Sequence, residues 1–307
     1  MQFLKQSILA TLLYSDVFRY PLTIGEIRTR LILTKLSDNN WQDELKKNLR
    51  QISGVQKKNE YYFVKGSISG IVERKIRQKY SLEKIRLAQK YTRILRIVPT
   101  VELVALTGAL AVEFGTKNDD IDLLIVTKPG YIWTTRFFMT VLYEILGIRR
   151  HPNEKSYSGK LCLNMYLDTQ HLEILTKEQN LYTAYELMQM KILWERNDTF
   201  RKILKENSWV RKFLPNAWTL RQSSLLFNRD FTNNRYSFIS PIEYFFKHLQ
   251  LRYMKKKRTS EVIRDGVIQF HPDDAGKRIL RLFKEKCRRY NLKLPFRAFN
   301  IEYENPP

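Results

Sequence analysis

The sequence predicts a multidomain protein of mixed α/β and α+β class, and three observations support this prediction. Apolar residues recur at helical spacing in both terminal parts of the chain, whereas the centre has short apolar runs of high β propensity. The length of 307 residues allows two or three domains. Lys and Arg outnumber Asp and Glu by 54 to 31, for a net charge of +23, yet residues 100–180 hold 10 acidic against 8 basic residues. These changes divide the chain into residues 1–66, 67–99, 100–180 and 181–307.

The first segment, residues 1–66, predicts three helices followed by two short strands. Apolar residues recur at helical spacing from residue 3 to residue 17. Thr23 and Glu26 form a capping-box pattern at the start of the second helix, and a third helix fits residues 41–52. This order of elements is typical of a winged helix-turn-helix domain. The third helix offers three basic residues for phosphate contacts: Lys46, Lys47 and Arg50.

The basic segments on either side of the centre are candidates for nucleic-acid contact. Residues 67–99 predict one basic linker helix that ends at Pro99, and residues 181–307 predict a helical C-terminal region. Within the latter, residues 253–258 form a dense basic run near aromatic residues. Such positive segments attract polyanions, of which phosphate backbones are the most abundant. The alternative is a solvated surface that keeps the protein soluble, and both interpretations stay open.

The composition also excludes several classes of protein. The two cysteines, Cys162 and Cys287, cannot build a disulfide framework and suit a reducing cytosol. The N-terminus lacks the layout of a signal peptide, and no apolar run has the roughly 18 residues that a transmembrane helix needs. The four histidines lack the spacing of zinc ligands. We therefore expect a cytoplasmic protein without a membrane partner, and the sequence leaves its oligomeric state undetermined.

The central segment, residues 100–180, predicts alternating strands and helices. A long helix fits the apolar pattern that ends at Gly147. Four stretches have strand composition: residues 101–106, 121–127, 160–167 and 172–175.

Two features of this segment suggest chemistry. Asp120 and Asp122 flank one residue at the start of a strand, so both carboxylates lie on one face. Carboxylates about 7 Å apart along a strand can converge on a hard divalent cation such as Mg²⁺ or Mn²⁺. Gly108, twelve residues before Asp120, falls in a strand-to-helix turn, where a side chain would block a triphosphate. The amides of Gly108 and Ala109 at the helix start would then meet the phosphates.

The run Thr107-Gly108-Ala109, followed by Asp120 and Asp122 and by an apolar strand, resembles the nucleotidyltransferase superfamily typified by DNA polymerase β. The resemblance implies a mixed sheet, a metal ion on the two aspartates and a triphosphate held by the Thr-Gly-Ala turn. It also implies transfer of a nucleoside monophosphate from a nucleoside triphosphate (NTP) to a hydroxyl. The match covers residues 100–175. The whole layout resembles bacterial proteins of unknown role that join a winged helix to this domain and to a helical C-terminal region.

The superfamily pattern places a third acid on a later strand, and here the alternatives stay open. Asn164 stands at the best-matching position, but an amide is a poor metal ligand and no general base. Asp168 lies about 13 Å further along the same strand face, and Glu173 lies on the next predicted strand. Asp168 is our candidate for the third catalytic residue beside Asp120 and Asp122. Ala109 is a second departure, because it lacks the hydroxyl of a serine.

Two hypotheses follow for the function. The first is a metal-dependent nucleotidyltransferase with an NTP substrate, whose acceptor is a nucleic acid, a protein or another hydroxyl compound. Lys128 is a candidate phosphate ligand or a plain surface charge, and Arg149-Arg150 either contact a polyanion or complement a helix end. The alternative function is a catalytically impaired protein that senses nucleotide or regulates through DNA binding. The position of Asp168 and Glu173 relative to the aspartate pair discriminates between the two.

Overall fold

A six-stranded mixed sheet forms the centre of the molecule, and a three-stranded antiparallel sheet lies in its N-terminal part. The computed structural model describes residues 2–151, 157–224, 241–255, 262–269 and 275–292. These elements confirm the mixed α and β class that the sequence predicts. No helix within the described ranges has the length and apolar character needed to cross a membrane.

The N-terminal part follows the predicted order of elements. One helix precedes a two-residue strand, two short helices follow, and a two-stranded hairpin closes the segment; the small sheet has the order β1-β3-β2. The third helix ends three residues earlier than the pattern predicts, at Leu49. The elements are α1 (Gln2–Val17), β1 (Leu22–Thr23), α2 (Ile24–Arg30), α3 (Trp41–Leu49), β2 (Val55–Lys58) and β3 (Tyr61–Val64).

The predicted capping box at the start of α2 is confirmed. The Glu26 amide donates to Thr23 Oγ1 over 3.3 Å, and the Thr23 amide donates to Glu26 Oε2 over 2.9 Å. Glu26 also accepts two hydrogen bonds from Arg74, of 2.7 and 2.8 Å. Burial alone would raise the pKa of Glu26, but the hydrogen bonds and charges of Arg74 and Arg30 outweigh it, and the net pKa is lowered. This ion pair joins α2 to the next helix.

That next helix, α4 (Gly70–Thr92), lies in the segment for which the sequence predicts a basic linker helix, and its last turn continues as a 3-10 helix over Arg93–Ile97. Its Lys84 ammonium is buried and donates to the carbonyls of Thr116, Lys117 and Asp119. The helix is therefore attached at one end to α2 and near its middle to the loop that precedes the acidic strand.

The large sheet has the strand order β7-β4-β5-β6-β9-β8, in which only β5 and β6 run parallel. All other neighbouring pairs are antiparallel. The strands are β4 (Val101–Leu106), β5 (Ile121–Thr127), β6 (Leu161–Asp168), β7 (Lys191–Glu195), β8 (Val262–Arg264) and β9 (Val267–Gln269). The helices are α5 (Gly108–Ala111), α6 (Ile132–Ile145), α7 (Leu181–Gln189), α8 (Thr199–Glu206), α9 (Pro215–Ser223), α10 (Pro241–Lys255) and α11 (Ala275–Arg289).

The expectation that residues 181–307 are helical throughout is wrong. β7 pairs with β4 at one side of the large sheet, and the β8–β9 hairpin pairs with β6 at the other side. Burial of a short apolar segment against a strand edge decides its conformation here, and local periodicity does not reveal that edge. The later half of the predicted basic run, residues 256–258, lies outside the described residues.

The predicted strand at 172–175 is also wrong. Asn207 is fully buried, and its side chain hydrogen-bonds backbone groups of this stretch. Asn207 Nδ2 donates to the carbonyl of Leu172 over 2.8 Å, and the amide of Ile174 donates to Asn207 Oδ1 over 2.9 Å. With these groups paired to a side chain, the segment needs no neighbouring strand.

Residues of the central strands alternate between two apolar clusters, one on each face of the large sheet. Leu103 and Leu124 belong to the first cluster, while Val104 and Leu123 belong to the second. The first cluster also contains buried residues of α1, including Ile8. The N-terminal helices and one face of the large sheet therefore share a core.

Candidate functional site

The turn after β4 has the backbone that the sequence predicts for it. Gly108 has φ +63, a left-handed conformation that favours glycine. A Cβ placed on Gly108 would lie 3.3 Å from Asp122 Oδ2, and the Thr107 amide donates to the Asp122 carbonyl over 3.2 Å. The turn thus lies directly against the acidic strand. The helix that begins here, α5, is only one turn long, so its dipole is smaller than we expected from the sequence.

Asp120 and Asp122 come together at the start of β5, as predicted. Asp120 directly precedes the strand and Asp122 is its second residue. Ligand atoms of these two carboxylates and of Cys162 lie within 4.8 Å of one another. Cys162 is present because β5 and β6 run parallel in a register that places Cys162 opposite Asp122. Cys162 could not be recognised as a site residue from the sequence, since its place follows from the register between two strands.

Asp168, the predicted third catalytic residue, lies away from the pair. The same register places it opposite Thr127, five residues along β5 from Asp122, a separation of about 16 Å. Its carboxylate accepts the Gln170 amide over 2.9 Å and lies 2.7 Å from His171 Nδ1. Asp168 therefore organises the turn after β6 and does not reach the Asp120–Asp122 pair.

The other candidates for the third acid do not fill its place either. Glu173 is exposed and lies in the segment held by Asn207, outside any strand. Asn164 lies beside an irregularity in the pairing of β5 with β6, and its Oδ1 is buried without a hydrogen bond. Among the described residues, the group that gathers metal-ligating atoms at this site has two carboxylates and one thiol.

Lys128, the predicted phosphate ligand, follows β5 at the end away from the acids. Its amide donates to the carbonyl of Thr100 over 2.8 Å. Lys128 is the sixth residue after Asp122, about 20 Å along the chain. The structure therefore brings together Thr107, Gly108, Asp120 and Asp122 and leaves Lys128 outside.

Arg150 lies at the aspartate pair itself. From the sequence, we expected it only to contact a polyanion or to complement a helix end. Arg150 Nη1 donates to Asp120 Oδ2 over 2.7 Å and to Cys162 Sγ over 3.7 Å, and its guanidinium lies 4.7 Å from the centre of the Tyr157 ring. The neighbouring Arg149 instead pairs with Glu144 at 2.9 Å, on the α6 side.

The electrostatics of the site follow from burial and from the two adjacent carboxylates. Burial, and then the negative charge of Asp120, raise the pKa of Asp122 to about 6. Burial and the charges of both aspartates raise the pKa of the Cys162 thiol far above its ordinary value, so Cys162 is a neutral thiol near neutral pH. Its thiol hydrogen-bonds Asp122.

The loop before the site is fixed independently of the pair. Asp119 accepts the amide of Thr116 over 2.7 Å, which leaves its carboxylate committed to the turn. Lys84 holds the carbonyls of the same turn. Asp119 is thus a structural residue of the turn.

Comparison with protein-family models, with curated proteins and with solved structures finds no match to this chain. The geometry of the site provides two convergent carboxylates, a glycine turn that lies against them, a neutral thiol and one guanidinium.

Proposed function

We propose that this chain binds an NTP together with a divalent cation at the turn of Thr107-Gly108-Ala109 and the pair Asp120–Asp122, and that it senses the nucleotide without transferring it. The observation that supports this proposal is the position of Cys162. A neutral thiol occupies the place opposite Asp122, and Asp168 lies at the other end of the strand. No third carboxylate of the described chain lies in the group.

The residues fit a hard divalent cation. Two carboxylates with ligand oxygens close together provide the oxygen ligands that Mg²⁺ or Mn²⁺ needs, and the neighbouring Gly108 has no side chain that would keep phosphates away. Asp120 and Asp122 would hold the ion, which would neutralise charge on the phosphate oxygens. Among the described residues, no further carboxylate joins the pair to take the proton from an acceptor hydroxyl.

The output of such a sensor would come from the N-terminal part. The order of its helices and strands is that of a winged helix-turn-helix, and we assign residues 1–66 to that domain type. A surface depression of about 440 Å³ on α3 is lined by Asp43, Lys46, Lys47, Arg50 and Gln51. Its three cations suit phosphate contacts of a nucleic acid.

The experiment is thermal unfolding with each NTP, with and without Mg²⁺. A ligand at 100 times its dissociation constant adds about 2.7 kcal/mol to the free energy of unfolding, which raises the midpoint by a few degrees. We expect a Mg²⁺-dependent rise that the double variant Asp120→Asn/Asp122→Asn loses. The control is Asp168→Asn, which should keep the rise because Asp168 lies outside the site. No rise with any nucleotide would refute the proposal.

Metal-dependent transfer of a nucleoside monophosphate remains the second candidate function. It is favoured by the convergence of Asp120 and Asp122 beside Gly108, since metal binding and phosphate positioning are the larger part of such a reaction. Labelled NTP discriminates between the candidates. Release of pyrophosphate that depends on Asp122 supports transfer, whereas binding without turnover in the presence of RNA, DNA and protein acceptors supports the sensor.

A further inference from the structure

Arg150 makes contacts at the aspartate pair that a plain surface cation would not make. Its side chain is 27% exposed, and that of its partner Asp120 is 12% exposed. Its amide donates to the Leu161 carbonyl over 3.0 Å, which anchors its backbone beside the first residue of β6. The ring of Tyr157 covers one face of the guanidinium. The position of the cation is therefore defined by both backbone and side-chain contacts.

Arg150 binds a carboxylate that a metal ion at this site would also use. Arg150 Nη1 lies 2.7 Å from Asp120 Oδ2, and Asp120 belongs to the group whose ligand atoms converge. A guanidinium and a divalent cation on the same carboxylate repel each other, and in a partly buried site this repulsion is poorly screened. Close binding of one therefore weakens the binding of the other.

We propose that Arg150 is the resident counter-ion of Asp120, that it competes with the divalent cation for this carboxylate, and that on binding of the metal–nucleotide complex it moves to the phosphates. The second half of this inference rests on the proposed nucleotide function, whereas the competition with metal does not. Guanidinium groups bind phosphate oxygens through two parallel hydrogen bonds, so the displaced side chain has a better partner in the ligand.

The competition is measured with Mn²⁺ alone, by electron paramagnetic resonance titration of the nucleotide-free protein. Arg150→Gln should bind Mn²⁺ about tenfold more tightly than the wild type, because the competing charge is gone. Arg149→Gln is the matched control: it removes the same charge one residue away, from an arginine of similar exposure that pairs with Glu144. It should change the affinity less than twofold.

Equal changes in the two variants, or weaker Mn²⁺ binding by Arg150→Gln, would overturn the inference. Arg150→Lys provides a test that does not depend on removal of the charge: its affinity for Mn²⁺ should lie between those of the wild type and Arg150→Gln. A value equal to that of Arg150→Gln would mean that positive charge at this position does not oppose the metal.

The movement to the phosphates is tested by NTP affinity at saturating Mg²⁺. Arg150→Gln should weaken NTP binding several-fold although it binds metal more tightly, and Arg149→Gln should not. Unchanged NTP affinity in Arg150→Gln would refute the movement. If no variant and no wild-type sample binds NTP, the proposed function fails, and the Mn²⁺ titration still decides the competition.

Discussion

At the scale of the residue, Asp122 is a candidate metal ligand whose ionised carboxylate lowers the stability of the fold. Its carboxyl is held beside Asp120 and is partly buried, and these two causes raise its pKa from 3.8 to about 6. A folded-state pKa above the unfolded one means that the native state binds the proton more tightly. Proton binding to Asp122 therefore stabilises the folded state fully below about pH 4, and this contribution is lost as pH rises through 6. At neutral pH the ionised carboxylate costs stability.

Replacement of Asp122 by Asn should stabilise the metal-free protein at pH 7.5. A rise in pKa of about two units corresponds to roughly 1–3 kcal/mol, which the neutral amide would recover. Chemical unfolding in the presence of EDTA, at pH 7.5 and at pH 4, measures the difference from wild type, which should vanish at the lower pH. The exposed Glu173→Gln serves as the control. An Asp122→Asn protein less stable than wild type at pH 7.5 would contradict this account.

The same residue shows how far the sequence predicts the site. Gly108, Asp120 and Asp122 are recognised from their spacing along one strand and one turn, and the structure brings them together. Cys162 and Asp168 depend on the alignment of β5 with β6, which has an irregularity between Asp122 and Leu124. Spacing along a chain does not contain the register between two strands, so the third position could not be predicted.

At the scale of the element, the sequence predicts helices and strands that have local signals, whereas it does not predict strands that form only by pairing with the edge of a sheet. The boundaries of β5 are those predicted, and the capping box of α2 is formed. β7 was missed, because a five-residue strand becomes one only through its pairing with the edge of β4. The segment at 172–175 is the opposite case: its composition suits a strand, and one asparagine keeps it from being one.

Asn207→Ala should therefore destabilise the protein strongly. The change leaves the amide of Ile174 and the carbonyl of Leu172 without their partner, and it removes the acceptor of the Trp209 indole N–H at 3.1 Å. We expect a loss of about 2–4 kcal/mol in the free energy of unfolding. Urea unfolding measures it, with the exposed Asn39→Ala as control. Equal stabilities of the two variants would show that water replaces the asparagine without cost.

At the scale of the whole molecule, the large sheet is assembled from distant parts of the chain. Its centre, β4-β5-β6, comes from residues 100–180, and both sides of that centre are covered by strands from beyond residue 180. The domain boundary expected at residue 180 thus falls inside one hydrogen-bonded sheet. The sequence could not show this, since the closing strands are short and lie between helices.

A fragment of residues 1–180 should not fold cooperatively. Without β7 and the β8–β9 hairpin, the apolar strands β4 and β6 would expose their edges. We expect aggregation, or a broad thermal transition by circular dichroism, where the full chain melts sharply. A monomeric fragment with a sharp transition, by light scattering and circular dichroism, would show that the first 180 residues are sufficient.

Lys84 gives α4 a role beyond that of a spacer. The Lys84 ammonium donates to three carbonyls of the loop that leads into Asp120, while Arg74, earlier on the same helix, binds Glu26 of α2. If ligand binding displaces the loop, we expect the displacement to reach α2 and the small sheet through α4. We therefore expect the orientation of the N-terminal part to change with occupancy of the acidic site.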